Sequence, residues 1–379
     1  MALEHAPLEL SAVPEAARKV LVGSAPLKLM AARGLAPLKP VELVAVLYQL
    51  ATDPSDPTLQ AAAHKSVAEL PDRILTPALA DPGLEPRVLD FFACKLVANA
   101  AVMEVVLLNR TTADETVLEL TARIGEKELE IVAVNEQRLL RKPEIIGALY
   151  MNRRARMSTV DRAIELAVRN DITVPGIPRW DDLVQAVLGQ KAETKRSPAE
   201  IDAAFKAIAQ KALVEDDPNR GLLAPLEDDD LEIINEEETK KIEADIKDLP
   251  ISELSIAQKI RLATIGNAFA RGMLIRDPLK LIAIAAINSP GMTDNEVIKY
   301  SANRSLADDV IRVIANTKEW TKLYSVKVHL VNNPKCPMPI AMRLMPFLHD
   351  KDMRNVTRSR AIPSAVVQMA KKLLASKGR

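Results

Sequence analysis

From residue 40 onward the chain alternates between apolar runs and short breaks built from proline, aspartate and asparagine. Residues 41–51 are an apolar run that stops at Thr52-Asp53-Pro54-Ser55-Asp56-Pro57. A second run covers 58–70, a third starts at Pro71-Asp72, and after Leu79-Ala80-Asp81-Pro82 a fourth covers 88–97. Further on, Val117, Leu118, Leu120 and Ile124 recur at helical spacing, as do Val310, Ile311, Val313 and Ile314. The prolines sit at the seams. A first helical turn tolerates proline, whose missing N–H has no partner there, and a helix interior does not. Helices of about 8–14 residues with such breaks predict an array of helical hairpins.

The pattern occurs twice. Leu108-Asn109, Thr112-Ala113-Asp114-Glu115, Val134-Asn135 and Leu149-Tyr150-Met151-Asn152 precede a second set. That set is Ile287-Asn288, Thr293-Asp294-Asn295-Glu296, Ala315-Asn316 and Leu330-Val331-Asn332-Asn333. Subtracting positions gives 181 for Thr112/Thr293, Glu115/Glu296, Asn135/Asn316 and Asn152/Asn333, and 179 for Asn109/Asn288. Two arrays related by internal duplication are therefore expected. Thr112-x-x-Glu115 and Thr293-x-x-Glu296 read as capping boxes, in which the hydroxyl accepts from a backbone N–H and the carboxylate reaches back. Ser158-Thr159-Val160-Asp161 reads as another cap-like start. Asn109, Asn135, Asn152, Asn288, Asn316 and Asn333 read as helix ends, where asparagine tolerates the left-handed backbone.

The fold class predicted is all-α, with two α-solenoid arrays joined by an acidic linker. Residues 1–25 are expected as a flexible leader, 26–190 as the first array and 191–249 as a polar-to-acidic linker. Residues 250–375 form the second array and 376–379 a basic tail. A helix is expected near 26–33, and a last short helix of the first array at 182–188. Within the linker, Ala199, Ile201, Ala204, Phe205 and Ile208 place an amphipathic helix at 198–213. Residues 215–248 then hold 14 acidic and four basic residues, the composition of a solvated arm.

Composition supports this reading. Aromatics are 3% and glycines 12 of 379, below the usual ~7%, which disfavours sheets and hairpins. Lys+Arg and Asp+Glu are both 51, so no global field points to nucleic acid or an anionic membrane. Two cysteines far apart, Cys94 and Cys336, fit a reducing compartment. With no signal peptide and no stretch near the ~20 apolar residues of a membrane span, a cytoplasmic location is expected.

These features are similar to helical-repeat proteins of the HEAT/armadillo type, and to short bacterial repeats with an Asn-Pro-x-x-Pro turn. Asn333-Pro334-Lys335-Cys336-Pro337 is the closest match and Asn288-Ser289-Pro290 a partial one. The two-array layout, over roughly 25–190 and 250–375, resembles a bacterial family. The resemblance implies a fold and supplies no activity. A bacterial branch with such turns carries an iron–sulfur cluster on clustered cysteines, a property that two isolated cysteines do not support. One HEAT-like enzyme class excises damaged bases, using an acid and aromatics in a basic cleft. Trp180-Asp181-Asp182 is the only echo of it.

Candidate chemistry is sparse. His5, His64, His329 and His349 lack metal-ligand spacing, and no phosphate loop or nucleophile elbow occurs. Cys94 reads as core, and Cys336, beside Lys335 on a turn, as packed into that turn, with a more reactive thiol as the alternative. Residues 138–169 hold eight basic residues against three acids, and 343–379 nine against two. Arg138, Arg141, Arg153, Arg154, Arg156 and Arg162 are therefore the candidate partner-binding side chains. No enzyme activity, cofactor or metal is expected. The predicted function is a scaffold or adaptor that binds a protein partner in a repeat groove. The alternative is a nucleic-acid-binding array using the two basic stretches.

Overall fold

The computed structural model describes residues 3–189, 254–359 and 361–377, together with 199, 201–203 and 251. Regular structure among them is entirely helical. The chain divides into two compact units, Met1–Ile177 and Pro178–Arg379.

The first unit contains α1 (Glu15–Leu21), α2 (Ala25–Ala32), α3 (Pro40–Thr52), α4 (Pro57–Glu69), α5 (Asp72–Leu79) and α6 (Pro86–Lys95). It continues with α7 (Ala100–Leu108), α8 (Asp114–Thr121), α9 (Glu126–Val134), α10 (Glu136–Arg141), α11 (Glu144–Met151) and α12 (Met157–Arg169). The breaks act as their composition implies. Pro40, Pro57 and Pro86 occupy the first turns of α3, α4 and α6. Asp56 caps α4, its Oδ1 accepting from the amides of Thr58 (2.9 Å) and Leu59 (3.2 Å). Up to α7, each helix packs on the second one after it, and beyond that α8 packs on α11 and α9 on α12. One series runs α1, α3, α5, α7, α9, and the other runs α2, α4, α6, α8, α11, with α12 closing on α9, α10 and α11. Val44, Leu47, Leu79, Leu89, Phe92, Val106, Leu120 and Leu149 are fully buried between them. Burial of each such side chain contributes about 1.5–3 kcal/mol.

Residues 3–25, expected as a loose leader, are part of this unit. They form a 3-10 turn at Leu10–Ala12 and helix α1, and they bury Leu8, Val13, Ala17 and Val20. The weak periodicity before residue 13 reflects a segment bound in non-helical form.

The second unit contains α13 (Trp180–Gly189), α14 (Ile256–Ile265), α15 (Ala268–Leu274), α16 (Lys280–Ile287) and α17 (Asp294–Ala302). After them come α18 (Asp308–Asn316), α19 (Tyr324–Asn332), α20 (Met338–Leu344), α21 (Asp350–Arg358) and α22 (Ser364–Lys377). The alternating pattern recurs: α14 packs on α16 and α16 on α18, while α17 packs on α19 and α19 on α21. The helix expected at 182–188 is α13, which packs on α14 and so groups with the second unit. Ser255 N-caps α14 in a capping box with Gln258. The acidic stretch 215–248 lies outside the described residues. The expected helix 198–213 is described only at 199 and 201–203, which are helical.

The cap assignments divide. Thr293 and Glu296 form the predicted box: Thr293 Oγ1 accepts from the Glu296 amide at 3.4 Å, and Glu296 Oε2 accepts from the Thr293 amide at 3.0 Å. Thr112 and Glu115 do not. Ala113 is the N-cap of α8, and Thr112 Oγ1 turns back to donate to the Val106 carbonyl at 2.6 Å. Ser158 lies inside α12, whose N-cap is Arg156. Asn135 ends α9 as expected, as its C-cap, and is at the same time the N-cap of α10, its side chain accepting from the Arg138 amide at 3.1 Å. Asn316 is the last residue of α18 and is exposed.

None of the helix-end asparagines is left-handed. Asn109, Asn152 and Asn333 have φ of −70°, −77° and −92°. They are buried and bond between helix pairs instead. Asn109 Nδ2 donates to the carbonyls of Leu79 (2.8 Å) and Asp81 (3.1 Å). Asn152 does the same with Thr121 (2.7 Å) and Ile124 (3.4 Å), and Asn333 with Ser301 (3.0 Å) and Asn303 (3.2 Å). In each, Oδ1 accepts from the amide two residues on, fixing an Asx turn. The side chain thus satisfies orphan carbonyls at the end of the preceding pair. Asn288 is exposed and only donates to Ile284 O within its own helix; buried Ser289 makes the long-range bond, to Thr264 O at 2.8 Å.

Candidate functional site

The six candidate arginines come from the region where α8 and α9 pack against α11 and α12. Local sequence places eight bases within 138–169 with few acids, but the fold brings in acids from one helix pair earlier. Arg138 is buried. Its guanidinium lies 3.1 Å from Asp114 Oδ1 and donates to the carbonyls of Thr112 (3.1 Å) and Leu107 (3.4 Å). Arg141 grips the same carboxylate in a fork, Nε to Oδ2 at 2.6 Å and Nη2 to Oδ1 at 2.7 Å. The Arg141 hydrogen bond is the main reason that the Asp114 carboxyl titrates below its ordinary range. Lys142 faces Glu115 at 3.5 Å.

The next turn repeats the arrangement. Arg156 Nε donates to Glu126 Oε1 at 2.5 Å, and Arg162 Nη2 to Glu130 Oε2 at 3.1 Å. Thr159 Oγ1 donates to the other oxygen of Glu130. Arg154 donates to the Arg123 carbonyl at 3.3 Å and faces no carboxylate among the described residues. Arg153 is exposed and has no side-chain partner among the described residues. The predicted residues are therefore neighbours, but they form a ladder of ion pairs between successive helix pairs. Acid counts within the stretch miss it, because the partners lie 24–32 residues earlier.

A second polar cluster was not legible in the spacing of residues. Asp90 on α6 is fully buried. Its Oδ1 accepts from Thr116 Oγ1 at 2.7 Å, and its Oδ2 from His5 Nε2 at 2.6 Å and the Leu3 amide at 3.3 Å. Aromatic rings surround it. Phe91 sits edge-on to His5 (5.4 Å between centroids) and to Tyr48 (5.4 Å), and stacks with His64 at 5.9 Å. Burial pushes the Tyr48 hydroxyl up to about 12. Burial, followed by the Lys95 charge, lowers His64. The only signal for this cluster was the gathering of a scarce residue class, the aromatics, around an acid inside an apolar helix.

Both thiols sit where the thiolate form is disfavoured. Cys94 lies 4.0 Å from both Asp90 Oδ1 and Glu119 Oε1, and burial with these carboxylates raises it to about 11. Cys336 is packed into its turn, as expected: it is buried and pushed up to about 12 by desolvation, which goes against the alternative of a reactive thiol. The Asn333-Pro334-Lys335-Cys336 turn folds it inward, and Lys335 is drawn away to the carbonyls of Leu306 (2.6 Å) and Ser305 (3.4 Å). His329 is half-buried, with Nδ1 3.1 Å from both Ile298 O and Ser301 Oγ. His349 stacks on Tyr324 at 4.5 Å. Among the described residues no group of three His, Cys, Asp or Glu is placed to hold a metal ion, and no helix is long and apolar enough to cross a membrane.

Apolar side chains are exposed at helix ends. Leu108 and Val134, the last residues of α7 and α9, are 64% and 72% exposed, and α7 packs on α9. The chain matches no known protein family, no curated protein and no solved structure.

Proposed function

We propose that this chain is a non-enzymatic scaffold or adaptor of the bacterial cytoplasm, built as two duplicated HEAT-like arrays and binding a protein partner. Support for the duplication comes from helix boundaries. Shifting by the 181-residue offset of Thr112/Thr293 brings α7, α8, α9 and α11 onto α16, α17, α18 and α19 to within two residues at their N-terminal ends. Asn152 and Asn333, at the same offset, each donate to two carbonyls at the end of an earlier helix, the acceptors lying one and two residues from the offset positions. Support for a solenoid comes from two alternating series, α1–α3–α5–α7–α9 and α2–α4–α6–α8, in the first unit, and from α14–α16–α18 and α17–α19–α21 in the second.

The observation that carries the protein-partner reading is the exposure of Leu108 and Val134 at the ends of two helices that pack together. A contiguous exposed apolar patch marks a binding surface, and Leu108 and Val134 are read as the start of one. Within 138–169 the nucleic-acid alternative is less favoured, because Arg138, Arg141, Arg156 and Arg162 already face carboxylates within the unit. A cation spent on an internal acid releases no counterion on meeting a phosphate.

Affinity capture of the tagged full chain from its host's lysate, with and without nuclease, tests the reading. One or two proteins retained through nuclease support it. Loss of all captured material on nuclease treatment overturns it in favour of nucleic acid.

A further inference from the structure

Residues 4–9 adopt no regular element, yet five polar contacts hold residues 3–8 across α3 and α6. Gln49 on α3 reads the backbone of Leu8 twice: Oε1 accepts its amide and Nε2 donates to its carbonyl, each at 2.9 Å. Tyr48 Oη donates to the Ala6 carbonyl at 2.9 Å. Asp90 takes the His5 ring and the Leu3 amide. Leu8 is buried, while Glu4 and Pro7 face solvent. Residues 3–8 make no backbone–backbone hydrogen bond to the described residues.

This is how a groove holds an extended peptide. Paired main-chain contacts from fixed side chains give affinity, and separate pockets for alternate side chains give specificity. We infer that the α3–α6 surface is a peptide-binding site, occupied in this structure by the chain's own residues 3–8 as a displaceable stand-in. The ligand class is an extended segment of a partner protein with a cationic side chain three residues before a buried aliphatic one. The spacing is that of His5 and Leu8, and the chemistry follows from the groove.

Asp90 is fully buried; among the described residues its contacts outside residues 3–8 are Thr116 Oγ1 at 2.7 Å and the weak donor Cys94 Sγ at 4.0 Å, neither of them a cation. A buried carboxylate costs several kcal/mol, an order-of-magnitude figure, unless a cation or several donors face it. The walls of Tyr48 and Phe91 suit a cation or an imidazole edge. Gln49 accepts any residue's backbone, so selectivity falls on the Asp90 and Leu8 positions. Because the occupant is tethered, its effective concentration is about millimolar and masks the site from a free peptide.

The inference rests on the protein-partner reading for the existence of a partner but uses a different surface from Leu108 and Val134. The two therefore fail separately. The probe is a fluorescein-labelled synthetic peptide of residues 1–12, titrated by anisotropy into the full-length chain and into full-length His5→Ala/Leu8→Asp. The expected result is saturable binding by the variant, at least about tenfold weaker binding by the wild type, and loss of binding when Gln49→Ala is added. No saturable binding by a variant with wild-type circular dichroism overturns the proposal, as does equal binding by both chains. If the variant does not fold, hydrogen exchange on the wild type decides. The Leu8 amide is expected to exchange at least about tenfold faster than those of Val46 and Leu47 in α3, and equal protection overturns the proposal.

Discussion

Asn152 donates through Nδ2 to the carbonyl of Thr121 at 2.7 Å, across 31 residues of chain. Asn109 and Asn333 make the equivalent bonds at 2.8 and 3.0 Å. These side chains join helix pairs rather than merely ending helices. Asn152→Ala leaves buried carbonyl groups without a donor and is expected to cost about 1–3 kcal/mol. Asn288→Ala, whose side chain is exposed, is expected to fall within about 0.5 kcal/mol of the wild type. Urea denaturation of both variants checks the difference.

Glu296 and Glu115 occupy equivalent places in the sequence pattern but have different fates. Glu296 is buried and forks with Arg271, Nε to Oε1 at 2.9 Å and Nη2 to Oε2 at 2.8 Å. Burial alone would raise this carboxyl, and the Arg271 pair outweighs it and lowers it. Arg271→Ala is expected to cost about 3–5 kcal/mol by stranding the buried carboxylate. Glu115→Ala, which loses only the exposed pair with Lys142, is expected to cost under about 1 kcal/mol. Thermal unfolding of the two variants distinguishes them.

That contrast shows what was legible in the chain. Helix positions were, because Pro40, Pro57 and Asp56 act within a few residues of themselves. The Thr293 box was legible for the same reason. The Thr112 box has the same letters and fails through partners far away in sequence. The position matching Arg271 at the 181-residue offset is Asp90, so no cation draws Glu115 inward. Meanwhile Arg138 and Arg141 hold Asp114, and Arg138 also takes the Thr112 carbonyl. Long-range pairing likewise converted the arginine stretch from a free basic face into a ladder, and local composition carries no record of that. The Asp90 groove was hidden because its occupant, residues 3–8, has no periodicity to read.

His329 links stability to pH. Burial lowers its pKa below the ordinary 6.5. The unfolded chain therefore binds more protons than the folded one below the unfolded value. Stability from this group is fully present above about pH 6.5 and is lost as pH falls through the lowered folded value. His329→Gln keeps a donor for Ile298 O and removes the titration. Denaturant midpoints between about pH 7 and 5 are expected to fall less steeply for the variant than for the wild type.

The thiols are expected to be inert while the fold is intact. With pKa values of about 11 at Cys94 and about 12 at Cys336, the thiolate fractions near pH 8 are about one in a thousand and one in ten thousand. Iodoacetamide labelling followed by mass spectrometry is expected to run at least about a hundredfold slower on the native chain than in denaturant.

The exposed ends of α7 and α9 are the centre of the functional account. Leu108→Asp/Val134→Asp places charge where a partner's apolar surface would sit and disturbs no buried side chain. Nuclease-treated capture from host lysate, comparing this variant with the wild type and with Arg153→Ala/Arg154→Ala, tests the account most directly. Proteins retained by the wild type and by the arginine variant, and lost from the Leu108/Val134 variant, are the predicted result. Retention unchanged in the Leu108/Val134 variant and lost in the arginine variant would contradict it.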